Sequence, residues 1–244
     1  MQTFMKRLDL RLQSLARTRL DSVWRIAIVG AGAGGFEVAC CLPGYIDRIA
    51  PSSKVELTLV DRGSEILKAM PGRTRVLAQR ALDQKGIRQL VRREIAEING
   101  EGRLLFTDGS SLETDLILWT TSARAPSVLQ SFDLPKDERG FLLTRNTLQS
   151  TSADSIFAVG DSGTLDQRPL AKAGVYAVRQ GATLWDNLKR HLAGQPTVEW
   201  RPQNCFMTLL NTGDDRAILT YNGICVHAGW CWTVTDAIDR RFLA

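Results

Sequence analysis

The residues best suited to chemistry in this sequence are glycines in one short loop. From residue 30 to residue 35 the chain reads Gly-Ala-Gly-Ala-Gly-Gly, which satisfies the pattern G-x-G-x-x-G. In that pattern the first glycine permits a tight turn, the second lets a phosphate approach the backbone, and the third lets a helix pack closely on a strand. Unpaired N–H groups at the start of the helix then bind phosphate oxygens. We therefore predict that a dinucleotide pyrophosphate binds at Gly30, Gly32, Gly34 and Gly35.

An acidic residue follows the loop at a spacing that suits the ribose of the same ligand. Asp61 ends the next apolar run and lies about 26 residues past Gly35, a little beyond the usual spacing of about 20. At the end of a strand its carboxylate would accept hydrogen bonds from ribose hydroxyls and repel a 2′-phosphate, which favours NAD(H) over NADP(H). The alternative is an exposed loop aspartate beside Arg62, and Arg62 itself leaves room for NADP(H).

The apolar pattern up to residue 120 predicts the elements that position these groups. Short apolar runs indicate buried strands, and longer segments with apolar residues at helical spacing indicate helices. Their order predicts an α/β fold with a Rossmann-type parallel sheet and a β-meander. The predicted strands are 24–29, 54–60, 87–97, 103–107 and 115–120, and the predicted helices are 36–42, interrupted by Pro43-Gly44, and 73–83.

The second half of the chain has a different organisation. A stretch flanked by Pro126 and Pro135 is typical of a loop. Beyond it the pattern predicts one long helix and several short strands, followed by an aromatic and basic end. The helix is 173–191, and the strands are 141–146, 155–159, about 206–210 and 217–220.

Composition argues against several other classes of protein. The 244 residues carry a formal net charge of +5 without a Lys/Arg block of the kind that binds nucleic acid. Five cysteines without CxxC spacing or a secretory signal indicate free thiols in a reducing cytoplasm, and the presence of only two histidines argues against a zinc cluster. The first twenty residues predict an amphipathic helix leading into the first strand; the alternative is an Arg-rich transit peptide, which Asp9 and Asp21 disfavour.

Three further motifs turn a general dinucleotide site into a family resemblance. Glu37 extends the loop to G-x-G-x-x-G-x-E, and the run from residue 155 ends in Gly160-Asp161. Lys172 begins Lys-Ala-Gly, and Gln180-Gly181 follow on the same predicted helix. These motifs resemble the two-dinucleotide-binding flavoproteins of the pyridine nucleotide-disulfide oxidoreductase superfamily, and in particular the type II NADH dehydrogenases.

The tail is most similar to relatives of that group that are fused to selenide, water dikinases. The similarity lies in Arg-Pro-Gln at 201–203, in Asn-Thr-Gly-Asp at 211–214, and in the C-terminal end from Trp230-x-Trp232 to Asp239-Arg-Arg-Phe at 239–242. The resemblance implies that NAD(P)H passes a hydride to FAD, which then reduces a quinone-like acceptor. Positioning two cofactor rings is then the main task of the protein.

The resemblance also implies roles for residues near the nicotinamide. Glu37 would lie near the contact between nicotinamide and flavin; the alternative is a partly buried acid favoured by the helix dipole. Ser122 takes a position where the family usually has a glycine beside the NAD, so it would bind the cofactor by its N–H or hydroxyl, or crowd it.

Further roles implied by the resemblance concern FAD. Asp161 would hydrogen-bond the ribityl chain, with Gly160 permitting its close approach, and Lys172 would begin the helix that faces the flavin. Gln180 and Gly181 would lie by the flavin ring on the acceptor side. The alternatives are a simple turn aspartate at Asp161 and a solvated helix residue at Gln180.

One departure from the family concerns the FAD-binding half. Family members have an additional N-terminal G-x-G-x-x-G for the ADP part of FAD, which has no counterpart here. We therefore expect a linker helix (1–23), an NAD(H)-binding domain (24–122), the C-terminal part of an FAD-binding domain (123–195) and a C-terminal interface segment (196–244). The expectation is a truncated or mis-started product, or half of a split enzyme completed by a partner chain. The alternative function is a non-catalytic NAD(H)-binding module.

Two smaller features remain open in the sequence. The Cys40-Cys41 pair lies within the first predicted helix of the dinucleotide unit and is expected to be a packing pair. Trp230 and Trp232, together with Arg240 and Arg241, are expected to pack within the C-terminal segment; the alternative is peripheral contact with a membrane surface.

Overall fold

The computed structural model describes residues 2–18, 22–51, 53–100, 102–203 and 205–243, with the side chains of residues 2–4, 18, 239 and 241–243 left out. The chain divides into two units. The first unit is formed by Met1–Thr121 together with Met207–Ala244, and the second by Ser122–Phe206.

Five α-helices and twelve strands make up the described parts of both units. In chain order they are α1 (Gln2–Thr18), β1 (Trp24–Val29), α2 (Ala33–Ile49), β2 (Val55–Val60), α3 (Gly72–Gln84), β3 (Arg88–Leu90), β4 (Ile95–Ile98), β5 (Leu104–Phe106), β6 (Ser111–Leu112), β7 (Leu116–Trp119), β8 (Leu142–Thr144), β9 (Gly163–Leu165), α4 (Gly174–Leu192), β10 (Thr208–Asn211), β11 (Ala217–Tyr221), β12 (Ile224–Ala228) and α5 (Gly229–Leu243).

A four-stranded parallel sheet forms the centre of the first unit, in the order β3-β2-β1-β7. Apart from the exposed Arg25, strand β1 is buried on both faces, as its largely apolar sequence predicts. Ile26 and Ile28 face the core shared with the helices, whereas Ala27 and Val29 pack with Leu104 of the antiparallel meander β4-β5-β6. The predicted Rossmann-type sheet with a meander is therefore confirmed.

The tail of the chain belongs to the first unit. Strands β10, β11 and β12 form an antiparallel sheet, and Leu210 and Ile218 join the same apolar core as Ile26. A hydrogen bond of 2.8 Å between the buried hydroxyls of Thr74 and Thr220 ties α3 to β11. This tail therefore helps to cover the helical side of the parallel sheet.

The second unit holds α4 and the short parallel pair β8-β9. Asn187 is fully buried on α4, where its amide donates to Thr147 O and Val198 O and accepts from the Val198 N–H, all at 2.7–2.8 Å. A buried amide with its hydrogen bonds satisfied fixes the loops on either side of the helix. The predicted long helix is confirmed.

Helix α2 corrects the prediction that Pro43-Gly44 interrupts it. The helix continues through Pro43 to Ile49. A proline in a helix interior costs about 3 kcal/mol, but Leu42 and Ile46 are both buried in the core on the same face of the helix. Packing on the sheet outweighs the loss of one backbone hydrogen bond.

Other segments also differ from the predicted strands. The 87–97 segment contains the parallel edge strand β3 and the separate antiparallel strand β4. Residues 155–159 form no strand; their backbone pairs with the preceding loop through Ser150 N–H to Ile156 O and Ala158 N–H to Leu148 O. The aromatic end is helix α5, which was not predicted.

None of the described helices is long and apolar enough to cross a membrane.

Helix α1 supplies a direct test of the core. We expect Leu12→Ala to lower the free energy of unfolding by about 2–5 kcal/mol, because Leu12 is completely buried in the core of the first unit. Urea denaturation followed by circular dichroism measures the change. The matched control Leu10→Ala, on the same helix but 59% exposed, should change stability by less than about 0.5 kcal/mol. Equal effects of the two substitutions would contradict the packing of α1.

Candidate functional site

The glycine loop joins the end of β1 to the start of α2, and two of its glycines are required by the packing of the protein itself. Gly30 has a φ of +109°, and a Cβ there would lie 2.9 Å from the backbone of Thr120. A Cβ on Gly35 would lie 1.7 Å from Gly30 O. Only glycine lets the helix approach the strand this closely.

The other two glycines face open space. A Cβ on Gly32 or Gly34 would meet no atom of the described chain within 4 Å, and both residues are exposed. Gly32 is the N-cap of α2, which has no side-chain cap and no acidic residue in its first turn. The first N–H groups of a helix lack intrahelical partners and form its positive end. The geometry fits a phosphate group at the backbone of these residues.

Asp61 lies beside the loop and is bound to it. Its Oδ2 accepts the Ala31 N–H at 2.7 Å, and its Oδ1 accepts the Gly63 N–H at 2.6 Å. These bonds join the glycine loop to the end of β2. Because two carboxylate oxygens offer about four acceptor directions, the remaining ones can serve ribose hydroxyls.

Thr120 is a residue of this site that the sequence did not predict. Its hydroxyl lies 2.9 Å from Val29 O and 3.1 Å from Gly30 O, and its N–H donates to Val29 O. Thr120 therefore holds the start of the loop from the β7 side. The signal in the sequence was its place as the last residue of a predicted buried strand, because the carboxyl ends of neighbouring parallel strands meet at one edge of the sheet.

Glu37 lies one helical turn into α2 and is half-buried. Its Oε1 accepts the backbone N–H of Asn211, the last residue of β10, at 2.9 Å. On the same helix, burial raises the pKa of Cys40 to about 12 and that of Cys41 to about 11. At such pKa values both thiols are protonated near neutral pH. Cys40 lies in the apolar core, as expected of a packing residue.

The second unit brings three of the predicted FAD residues together. Gln180 is buried, and its Oε1 accepts the Gly160 N–H at 2.7 Å. The Lys172 ammonium donates to Gly160 O at 3.2 Å, to Gly163 O and to Thr164 Oγ1 at 3.0 Å. Burial lowers the pKa of Lys172. Gln180 is therefore not a solvated helix residue: both side chains hold the Gly160 turn in place.

The remaining predicted residues are at the surface. Asp161 follows Gly160 with its carboxylate exposed, and Gly181 is exposed on α4. Gly160 has a φ of +56°, and a Cβ there would lie 3.0 Å from Ala177 Cβ, so this glycine also permits close packing on α4. Ser122 is exposed at the start of the second unit, and its contact with NAD stays a prediction.

Comparison with known proteins places this arrangement in a family. The family described as pyridine nucleotide-disulphide oxidoreductase matches residues 2–181 of this chain. The chain belongs to this family. The match includes both the glycine loop of the first unit and the Gly160 turn of the second.

Relatives within this oxidoreductase family include quinone-reducing enzymes. The demethylphylloquinone reductase NdbB of Synechocystis is 30% identical over 226 residues, which are 89% of this chain and 54% of the relative. The type II NADH:quinone oxidoreductase of Haemophilus influenzae is 34% identical over 150 residues, which are 58% of this chain and 34% of the relative. The chain thus spans about half or less of the length of these relatives.

Solved structures share the fold of this chain. The sulfide:quinone oxidoreductase of Aquifex aeolicus has a TM-score of 0.76 at 14% identity, covering 96% of this chain and 60% of that one. The water-forming NADH oxidase of Lactobacillus brevis, bound to NADH, has a TM-score of 0.62 at 22% identity, covering 86% and 44%. At these identities the likeness concerns the fold.

The glycine loop yields a prediction that separates packing from ligand binding. We expect Gly35→Ala to lower the free energy of unfolding by about 3 kcal/mol or more, because its Cβ would overlap Gly30 O. Gly32→Ala should change stability by less than about 1 kcal/mol, because its Cβ meets open space. Thermal denaturation of both variants measures this difference. A Gly35→Ala variant as stable as Gly32→Ala would contradict the close approach of α2.

Proposed function

We propose that this chain binds NAD(H) at the glycine loop as part of a flavin-dependent NAD(P)H:acceptor oxidoreductase with a quinone-like acceptor. The observation that carries the proposal is the open N-terminus of α2 at Gly32 and Gly34, beside a carboxylate fixed at the end of β2. Neither exposed glycine is explained by the packing of the chain. A pyrophosphate on the helix and a ribose on the carboxylate account for both features.

The chain's own residues bind and orient the dinucleotide in this proposal. The N–H groups at the start of α2 hold the pyrophosphate, and Asp61 accepts the ribose hydroxyls. The negative charge of Asp61 disfavours a 2′-phosphate, so NADH is preferred over NADPH. Glu37, one turn further along α2, is then available to the nicotinamide half.

The flavin part of the proposal rests on the second unit. The exposed Asp161 carboxylate fits hydrogen bonding to ribityl hydroxyls, whereas Gln180 and Lys172 act on it indirectly by holding the Gly160 turn. When bound, FAD accepts a hydride from the nicotinamide and passes electrons on. This unit leaves apolar residues exposed on one face of α4, namely Val178 (55%), Trp185 (65%) and Leu192 (86%). We propose that this face of α4 contacts further polypeptide at the FAD site.

The relatives support the choice of acceptor. One is named as a reductase of demethylphylloquinone and another as an NADH:quinone oxidoreductase. Because this chain spans only part of their length, a quinone acceptor is proposed here by analogy. For peripheral membrane contact, the candidate is the exposed Trp230 at the start of α5. Trp232 is half-buried, Arg240 is paired with Asp236, and the Arg241 side chain lies outside the described residues.

A second candidate function is a non-catalytic NAD(H)-binding module. The observation in its favour is that the polar ends of Gln180 and Lys172 are already bound within the second unit. Calorimetry with FAD and with NADH, together with an assay of NADH oxidation by a quinone, separates the two functions. Binding of FAD with oxidation of NADH supports the oxidoreductase, whereas NADH binding without FAD binding or turnover supports the module.

The dinucleotide site itself is tested on the chain alone. We expect wild-type protein to bind NADH in fluorescence titration, and Gly32→Val to abolish binding without loss of thermal stability, because the valine side chain fills the phosphate position. The matched control is Gly100→Val, at an exposed glycine whose Cβ also meets open space and which lies far along the chain from the loop. It should bind NADH as wild type does. Unchanged NADH binding by Gly32→Val would refute the proposed site.

A further inference from the structure

The four residues from Asn211 to Asp214 form a turn that begins at the last residue of β10, here named the Asn211–Asp214 turn. The Asn211 side chain closes the turn, because its Oδ1 accepts the Gly213 N–H at 2.8 Å. The Asn211 backbone N–H points away from the turn and donates to Glu37 Oε1 at 2.9 Å. The turn therefore meets α2 through a hydrogen bond to a carboxylate.

The same turn is pressed against the backbone of α2. Gly213 has a φ of +69°, and a Cβ there would lie 2.3 Å from Cys40 O and 2.8 Å from Cys41 Cα. Only glycine permits this approach. The position of the turn relative to α2 is therefore fixed by backbone packing one turn beyond Glu37.

The Thr212 side chain stabilises the turn through its hydroxyl. It is completely buried, and its hydroxyl lies 2.5 Å from Asp214 Oδ1, 2.9 Å from Arg216 O and 3.0 Å from His227 Nε2. Aspartate and carbonyl oxygens only accept, and a hydroxyl has one proton to donate. The single hydroxyl proton of Thr212 therefore serves one of these neighbours at a time, and the donor and acceptor roles of Thr212 and His227 Nε2 follow the tautomer of the imidazole. Arg216 in turn donates to His227 O at 2.9 Å.

We propose that the Asn211–Asp214 turn is a positioning element that holds the Glu37 carboxylate for the nicotinamide half of the bound dinucleotide. The proposal rests on the proposed NAD(H) site. Glu37 lies about 6 Å along α2 from the first residue of the helix, which puts it within reach of the part of the ligand that follows the pyrophosphate. A hydrogen bond from a fixed backbone N–H confines the carboxylate to one arrangement. Thr212 is thus a positioning residue that acts through Asn211.

The experiment compares two ligands that differ only at the nicotinamide. ADP-ribose contains the pyrophosphate and both riboses, whereas NAD+ adds the positively charged ring that a fixed carboxylate attracts. We expect Thr212→Val to raise the ratio of Kd for NAD+ to Kd for ADP-ribose about threefold to tenfold, and Glu37→Gln to do the same. The matched control Thr212→Ser keeps the hydroxyl and should restore the wild-type ratio. Isothermal titration calorimetry on the full chain supplies both constants.

The possible results distinguish a failure of the positioning role from a failure of the NAD(H) site itself. If Thr212→Val is too unstable to titrate, Asn211→Ala replaces it, because this variant removes only the bond that closes the turn; the ratio should rise in the same direction. In the double variant Glu37→Gln/Thr212→Val the ratio should not rise beyond the Glu37→Gln value. A wild-type ratio in Thr212→Val and Asn211→Ala, or additive effects in the double variant, overturns the positioning role while leaving dinucleotide binding intact. Wild-type protein that binds neither ligand overturns the proposed function itself.

Discussion

The close approach of α2 to the end of β1 is the constraint on which the rest of the first unit depends. It requires glycine at residues 30 and 35, because a Cβ at either position would collide with backbone. Once the helix is placed there, its first N–H groups are left uncovered at Gly32 and Gly34. Packing of the protein and exposure of a phosphate site are therefore two consequences of the same geometry.

Hydrogen bonds from two sides hold this loop at the edge of the parallel sheet. Asp61 binds the Ala31 N–H from the β2 side, and Thr120 binds Val29 O and Gly30 O from the β7 side. Further along α2, the tail reaches Glu37 through Asn211. A site whose backbone is already fixed loses less conformational entropy on binding. The C-terminal tail, although remote in sequence, joins the unit that contains the glycine loop through this hydrogen bond and through Leu210 and Ile218 in the shared core.

The sequence predicted most of the parallel sheet and the dinucleotide loop, because hydrophobic periodicity and glycine spacing are local signals. The predictions were wrong where tertiary packing determines the structure of a segment. Pro43 is predicted to end α2, but burial of Leu42 and Ile46 carries the helix past it. The apolar run at 155–159 has the composition of a strand, yet its backbone partners lie in a neighbouring loop. The contacts of Gln180 with Gly160 and of Glu37 with Asn211 join distant segments, so no local pattern encodes them.

The central claim is that the backbone at the start of α2 binds the pyrophosphate of a dinucleotide. The most direct test is a titration of ¹⁵N-labelled chain with ADP-ribose, followed through the backbone amide resonances. We expect saturable shifts that are largest at Gly32, Ala33, Gly34 and Gly35, with smaller shifts around Asp61. Shifts that are absent from the loop, or largest in the meander β4-β5-β6, would contradict it.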